Sequence, residues 1–153
     1  MQVFIPYPEP IDCAKALWND KKRFNKQIIE CRQILEAMSG NKCWSNHPVT
    51  KMYKRDRMWL YDYLSCFINY RESKKALSKK DELLFLEKAL YDNSIANEDR
   101  PDFITEELCD QHKRRLYTKS PELYPQFASY GTSEENWYVI DGEIVKYING
   151  KKL

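Results

Sequence analysis

The chain has 153 residues, 42% of them hydrophobic and 14% aromatic, which is enough to bury one core and argues against global disorder. Its 25 basic and 23 acidic residues give a net charge of +2, which by itself neither demands nor excludes an anionic partner. With only 4 glycines and no glycine-rich phosphate loop, the sequence argues against a nucleotide-binding α/β fold.

The N-terminal third predicts an extended arm followed by two helices. Residues 1–10 are apolar but contain three prolines, so they predict an arm that packs on the body without being helical. Asp12 offers an N-cap for a short helix that ends near Trp18. From Lys21 to Ser39 the chain has its clearest helical periodicity, and Gly40 ends that helix. Its apolar stripe consists of Phe24, Ile28, Cys31, Leu35 and Met38.

The opposite side of the 21–39 helix is polar. It presents Arg23, Lys26, Gln27, Glu30 and Gln33. Taken on their own, these residues indicate a solvated helix face on which Lys26 and Glu30 pair at i,i+4.

The middle of the chain predicts a loop and two further helices. Residues 41–50 predict an ordered loop that carries Trp44, Asn46 and His47. A second long helix runs from Asp56 to about Tyr70 and is aromatic nearly all round. A lysine-rich connection (71–80), a helix (81–91) and a loop (92–101) follow.

The C-terminal third predicts two helices and a hairpin. Thr105 starts a helix to Tyr117, and Ser120-Pro121 opens a short helix that closes before Gly131. Residues 137–140 and 143–148 flank an Asp-Gly pair and predict a two-stranded hairpin. The fold class expected is therefore mainly α: one compact helical bundle over 1–153, with a helical core (1–131) and a hairpin tail (132–153).

Cysteine usage and hydropathy suggest where the protein works. Five cysteines form no C-x-x-C pair, which is typical of a reducing compartment. There is no signal peptide and no long apolar run, so we expect a cytoplasmic monomer without membrane attachment. Two histidines without cysteine pairs are too few for a usual zinc site, so no metal or other cofactor is expected.

Three basic clusters raise the question of a nucleic-acid partner. They are Lys21, Lys22, Arg23 and Lys26; Lys51, Lys54, Arg55 and Arg57; and Lys113, Arg114 and Arg115. Each alone indicates a solvated helix face, but convergence on one side would form a phosphate-binding groove. His47, in an aromatic and amide-bearing loop, and His112, beside arginines, are further candidate contacts to nucleic acid.

Four ordered segments resemble the bacterial and phage family of pyrimidine-dimer DNA glycosylases of the endonuclease V type. They are Met-Gln-Val-Phe-Ile-Pro-Tyr-Pro at the start, the run from Lys22 to Leu35, Asn46-His47-Pro48, and the segment from His112 to Tyr124. Together the matches run from residue 2 to about 127. The resemblance implies a compact helical, metal-independent enzyme that acts on lesion-containing double-stranded DNA as a glycosylase with associated abasic-site lyase activity.

The resemblance also implies a catalytic pair. In the family's founding enzyme an N-terminal α-amine attacks the anomeric carbon of the sugar to form an imine, and a helix glutamate assists. The interval from Phe24 puts that glutamate at Glu30, and the amine would belong to Met1 or to an exposed Gln2. This chain has Gln2 where the founding enzyme has a small residue that allows removal of the initiator methionine. Two further alternatives therefore stay open: a lysine such as Lys26 acts as the nucleophile, or imine chemistry is absent. The DNA-binding residues expected are Arg23, Lys26, Gln27, Gln33, Asn46, His47, His112, Arg114 and Arg115.

Two points leave the substrate and the activity open. Ile29 and Gln33 stand where the founding enzyme has DNA-directed arginines, so the excised pyrimidine could be a lesion or a modified base. The alternative to catalysis is a nucleic-acid-binding module on the same scaffold, for which Glu30 would be dispensable. Two further functions stay open: an enzyme that acts on RNA or a nucleoside, and a protein that binds another protein.

Overall fold

The computed structural model describes residues 1–40, 43–74, 79–80, 82–86 and 100–153. The helices with assigned bounds are α1 (Pro10–Leu17), α2 (Lys21–Met38), α3 (Pro48–Met52), α4 (Arg57–Ser73), α5 (Glu106–Lys119) and one 3-10 helix (Pro125–Tyr130). The strands are β1 (Asn136–Ile140), β2 (Glu143–Ile148) and β3 (Lys151–Lys152). The mainly helical fold expected from the sequence is confirmed, with a small antiparallel sheet at its C-terminal end.

Local signals place the two helices that matter most for the site. The Asp20 side chain caps α2 by accepting the N–H of Arg23 at 3.2 Å, and Gly40, at φ +108°, follows its last turn. Thr105 caps α5 by accepting the N–H of Leu108 at 3.2 Å, as the sequence predicts. The apolar stripe of α2 is confirmed as its inward face, with Phe24 fully buried.

Two predicted helix starts are wrong, and proline explains one of them. Helix α1 begins at Pro10 and not after an Asp12 N-cap, since proline fits the first turn, where a backbone N–H has no partner inside the helix. Ser120 ends α5 by donating its backbone N–H to the Leu116 carbonyl, so it does not open a new α-helix at Pro121. The element that closes before Gly131 is instead the 3-10 helix Pro125–Tyr130.

The middle of the chain also differs from expectation. His47 caps α3, which starts at Pro48, so the predicted 41–50 loop is shorter than expected. Helix α4 runs to Ser73, three residues beyond its predicted end. Residues 82–86 of the predicted 81–91 helix are helical, while the rest of that helix and residues 92–99 of the predicted loop lie outside the described residues.

The core lies between the helices and is closed by the N-terminal arm. Helix α4 packs against both α1 and α2. Arm residues Val3, Phe4 and Ile5 are at most 5% exposed, which confirms an extended arm packed on the body. In the described part of the chain, no helix has the length and apolar character to cross a bilayer.

The C-terminal sheet belongs to the same core. Strands β1 and β2 pair antiparallel through a turn in which Asp141 and Gly142 both have positive φ (+51° and +80°), as a type I′ turn requires. The hairpin prediction is confirmed, and the short strand β3 extends it. Because Trp137 and Tyr138 are 8% and 3% exposed and β1 contacts α3 and α5, the hairpin is an integral part of the body.

Candidate active site

The arm is held by polar side chains that face inward. The Oε1 atom of Gln27 accepts the N–H of Phe4 at 2.8 Å, and its Nε2 donates to the Gln2 carbonyl at 3.0 Å. The Tyr63 hydroxyl donates to the Phe4 carbonyl at 2.7 Å. Gln27 is 1% exposed, so the expectation of a wholly solvated polar face on α2 is wrong. An extended arm carries unpaired backbone groups, and buried ones require such partners.

His112 on α5 anchors the arm from the other side. Its Nδ1 accepts the N–H of Ile5 at 2.7 Å, and its Nε2 lies 3.3 Å from the side-chain amide of Gln2. Burial, reinforced by Arg115, lowers the pKa of His112 to about 3, so the ring is neutral. Since Nδ1 accepts, the proton is on Nε2, the ring nitrogen that faces the side-chain amide of Gln2. At 1% exposure His112 has no open face, and its expected DNA contact finds no support.

Glu30 lies where the arm meets α2. The carboxylate is 7% exposed, and its Oε2 is 3.5 Å from the backbone nitrogen of Gln2 and 3.5 Å from Nε2 of Gln27. Its Oε1 is 3.5 Å from Nζ of Lys26, which confirms the predicted i,i+4 pair. The carboxylate therefore touches the arm on one side and a cation on the other.

The α-amine of Met1 lies in the same neighbourhood. Tyr138 of β1 donates its hydroxyl to the Met1 carbonyl at 2.8 Å. Burial lowers the pKa of the amine below the usual 8.0; Glu30 opposes that shift, while Lys26 and Lys119 add to it. A lowered pKa leaves a larger neutral, nucleophilic fraction near pH 7.

A cleft of about 480 Å³ opens beside Met1 and Glu30. The cationic side chains that line it are Lys22, Arg23, Lys26, Arg115 and Lys119. Its two carboxylates are Glu30 and Asp20, and Asp20 is paired with Arg23. Across the described ranges, no three acidic, histidine or cysteine side chains gather as metal ligands. The cleft is thus suited to a polyanion, which would lie next to the Glu30 carboxylate and the Met1 amine.

Convergence of basic residues is partial. Three residues of the first cluster, Lys22, Arg23 and Lys26, meet Arg115 of the third cluster in the cleft. Lys21 instead lies over the Trp18 ring, and Lys113 turns away to Asp110 and Tyr130. The second cluster lines a separate hollow with Lys51, Lys54 and Arg57. The interpretation of the clusters as separate helix faces is therefore wrong for the first cluster, which lies beside Arg115 of the third cluster. It holds for the second cluster, which lies apart from both.

Arg115 is held by the segment that leads into the sheet. It is 6% exposed, its Nε donates to Oδ1 of Asn136 at 3.0 Å, and its Nη1 donates to the Ser133 carbonyl at 3.1 Å. One turn further along α5, burial and the neighbouring Arg115 lower the pKa of Lys119.

Three residues of this site were not predicted from the sequence. Lys119 follows Arg115 at i,i+4, so helical spacing could have placed it on the same face. Asn136 and Tyr138 belong to the hairpin, and no local pattern links a hairpin to an N-terminus more than 130 residues away in the chain.

The remaining predicted DNA contacts lie elsewhere. The His47 Nδ1 accepts the N–H of Val49 at 3.1 Å, and its ring meets the Tyr138 ring edge-on at 5.9 Å. Burial and the N-terminal ammonium lower the pKa of His47, so it neighbours the amine from outside the cleft. Asn46 is exposed and lines the second hollow. Gln33 and Arg114 are half-buried and line neither cavity.

Comparison with protein families gives one assignment. The family described as pyrimidine dimer DNA glycosylase matches residues 1–79, slightly more than half of the chain. Neither the curated proteins nor the solved structures gave a match. The matched region contains the arm, Gln27 and Glu30.

Proposed function

The chain belongs to the pyrimidine dimer DNA glycosylase family, and we propose that it excises a damaged or modified pyrimidine from double-stranded DNA with an associated abasic-site lyase step. One observation carries the proposal. The Glu30 carboxylate lies 3.5 Å from the backbone nitrogen of Gln2, beside an α-amine of lowered pKa, at the edge of a cleft lined with cations. These are the parts that base excision through an imine requires.

The chemistry follows from the nucleophile and the carboxylate. The neutral amine attacks C1′ of the target nucleotide, a C1′–N bond forms, and the glycosidic bond breaks with its electron pair leaving on the base. Glu30, as a carboxylate, stabilises the positive charge that develops on the sugar. It then accepts a proton from the attacking nitrogen and returns one to O4′ as the sugar ring opens to the imine. In the lyase step Glu30 accepts a C2′ proton of the imine, the electron pair of that C–H bond forms the C2′–C3′ double bond, and the 3′ phosphate leaves. Water then hydrolyses the imine and frees the amine.

Three nitrogens compete for the role of nucleophile. The Met1 amine is supported by its lowered pKa and by the Tyr138 hydrogen bond to the same residue. Removal of Met1 would turn the Gln2 nitrogen, 3.5 Å from Glu30, into the α-amine. The Lys26 Nζ is as near to Glu30, but its side chain is 66% exposed. We propose an N-terminal α-amine, because burial favours its neutral form.

The cations of the cleft have a positioning role in this proposal. Arg115, fixed by Asn136 and the Ser133 carbonyl, presents a guanidinium that is not free to swing. Lys22 and Lys119 add positive charge at the rim. Phosphates flanking the target nucleotide meet such groups without regard to base sequence, while extrusion of a damaged base costs less than that of an intact one.

Borohydride trapping tests the proposal. The protein is incubated with duplex DNA that carries an abasic site or a pyrimidine dimer, and reduction should give a covalent adduct whose mass and peptide map identify Met1, Gln2 or Lys26. Glu30→Gln should lower base release by about 10²–10⁴-fold and leave DNA affinity nearly unchanged. Glu36→Gln, which removes the same charge from the same helix outside the cleft, is the matched control.

The outcome that would overturn the proposal is the absence of both adduct and base release over a panel of lesions and modified pyrimidines. Retained DNA binding in that case, indifferent to Glu30→Gln, would identify the non-catalytic binding module instead. Mass measurement of the intact protein separately reports whether Met1 is present.

A further inference from the structure

A second hollow of about 500 Å³ lies apart from the active-site cleft. The end of α2, the loop before α3, α3 itself and the start of α4 form its walls. Its cations are Lys51, Lys54 and Arg57, and none of the residues that line it is acidic. The three cations of the hollow are therefore not neutralised by any carboxylate among the residues that line it.

Thr50 makes the hollow more than a group of surface lysines. Its side chain lines the hollow and is only 5% exposed, yet its hydroxyl has no hydrogen-bond partner in the described part of the chain. A buried hydroxyl without a partner costs free energy, so native proteins rarely keep one unless a ligand or water completes it. The Thr50 hydroxyl thus leaves room at this wall for one further acceptor, which water or a ligand can supply.

Arg57 is held at the same wall. Its Nη2 is 3.4 Å from Oγ of Ser39, and its guanidinium lies 5.8 Å from the centre of the Tyr61 ring. The Nε atom is buried and has no hydrogen-bond partner among the described residues. An arginine at such a wall suits an anion, because the planar guanidinium donors match the spacing of phosphate oxygens.

The hollow adjoins the active site through one contact. Asn46 lines the hollow, and the next residue, His47, packs its ring against Tyr138 at 5.9 Å. Tyr138 in turn holds the Met1 carbonyl, which borders the cleft. His47, Tyr138 and Met1 thus form a chain of contacts from the edge of the hollow to the edge of the cleft.

We propose that this hollow binds a backbone phosphate of the DNA that flanks the nucleotide held in the cleft. The inference rests on the proposed function, because the phosphate belongs to its DNA substrate. Phosphate oxygens accept hydrogen bonds from a hydroxyl, an ammonium and a guanidinium at once, which is the donor set that Thr50, Lys51 and Arg57 supply. The interaction positions the duplex and reads no base.

Salt dependence of DNA binding is the first test. Lys51 and Lys54 are exposed, so Lys51→Gln/Lys54→Gln leaves the core intact. The slope of log affinity against log salt for an undamaged duplex should become shallower by about 0.9 for each phosphate that the variant no longer neutralises. Lys151→Gln/Lys152→Gln on β3 makes the same charge change outside both cavities and should leave the slope unchanged. An equal slope in the wild type and the hollow variant would overturn the proposal.

Thr50 allows a second test that does not depend on total charge. Thr50→Val keeps the shape and removes a hydroxyl that has no partner among the described residues, so the melting temperature should not fall. Affinity for the duplex should nevertheless fall about tenfold, the worth of one hydrogen bond to a charged group. Thr50→Ser should restore most of it. Unchanged affinity in Thr50→Val would contradict the inference.

Inorganic phosphate separates this inference from the proposed function. At constant ionic strength, sodium phosphate should shift the backbone amide resonances of residues 46–57 of the intact protein, and chloride should not. Base release is measured on the same preparation. Shifts without base release would support the hollow and count against the proposed function. Base release without shifts, and with an unaltered salt slope, would reject the hollow alone.

Discussion

The family match covers residues 1–79, and the C-terminal residues 100–153 contribute to the site in a different way. The matched region carries the proposed catalytic carboxylate, Glu30, and the arm beside it. Gln27 and Tyr63 of the matched region hold the arm, and the C-terminal region adds two further contacts: His112 anchors the arm, and Tyr138 holds Met1. The proposed catalytic groups therefore lie in one region, while the groups that position them come from both.

The two regions also differ in how their residues come together. Lys26 and Glu30 are neighbours on one helix, so their proximity follows from helical spacing alone. Arg115, Asn136 and Tyr138 reach the same place only because α5 and β1 contribute buried side chains to the common core and contact each other. Three predictions test how far the site depends on this second region, and a fourth tests the local effect of Lys26 on the amine.

The largest effect is expected from removing the Tyr138 ring. Because this side chain is 3% exposed and packs in the common core, Tyr138→Ala should lower the free energy of unfolding by about 3–5 kcal/mol. Ile144→Ala on β2, where the side chain is 40% exposed, should cost less than about 1 kcal/mol. Urea unfolding measures both. Small and equal decreases would mean that the sheet is a dispensable tail.

The second effect is acid sensitivity through His112. The folded protein keeps this ring neutral with a pKa of about 3, while the unfolded chain binds a proton near pH 6.5. Stability is therefore intact above pH 6.5 and falls by up to about 1.4 kcal/mol per pH unit as the pH drops toward 3. His112→Gln should flatten this dependence between pH 4 and 6.5 in denaturant titrations. His47→Gln, at a half-buried ring, should change the pH dependence of stability less. A larger change in His47→Gln would mean that His47, and not His112, is the source of the acid sensitivity.

A smaller effect is expected from the Tyr138 hydroxyl alone. Tyr138→Phe removes the hydrogen bond to the Met1 carbonyl and should cost about 1 kcal/mol of stability. A less firmly held amine should also react more slowly, so single-turnover trapping should slow about 3–10-fold with DNA affinity unchanged. Tyr147→Phe, whose ring contacts Tyr138 but whose hydroxyl does not reach Met1, serves as control. Equal trapping rates in the two variants would remove Tyr138 from the positioning role.

The smallest effect concerns pH dependence of the amine. Since the Lys26 charge lowers the pKa of the Met1 amine, Lys26→Gln should raise that pKa and move the acid limb of the trapping rate to higher pH. Lys22→Gln, at a cleft residue that does not contribute to the shift, should move it less. Complete loss of the adduct in Lys26→Gln would instead identify Lys26 as the nucleophile.

Several features of the fold could be predicted because their causes are local. The periodicity from Phe24 to Met38 and Gly40 beyond it defined α2, Thr105 defined the start of α5, and Asp141-Gly142 defined the hairpin turn. In each case neighbouring residues determine which backbone conformation is accessible. The errors at Asp12 and Ser120 arose where two local signals competed within a few residues.

Local sequence is enough to place Lys26 and Glu30 together on a polar helix face, because helical geometry brings residues i and i+4 side by side. That the arm covers part of this face, buries Glu30 and Gln27 and brings the Met1 amine beside the carboxylate follows only from the folded chain. Burial depends on which distant segments pack there, and no local pattern encodes the contact between residue 1 and residue 138. The proposed pairing of the amine with the carboxylate depends on that long-range packing.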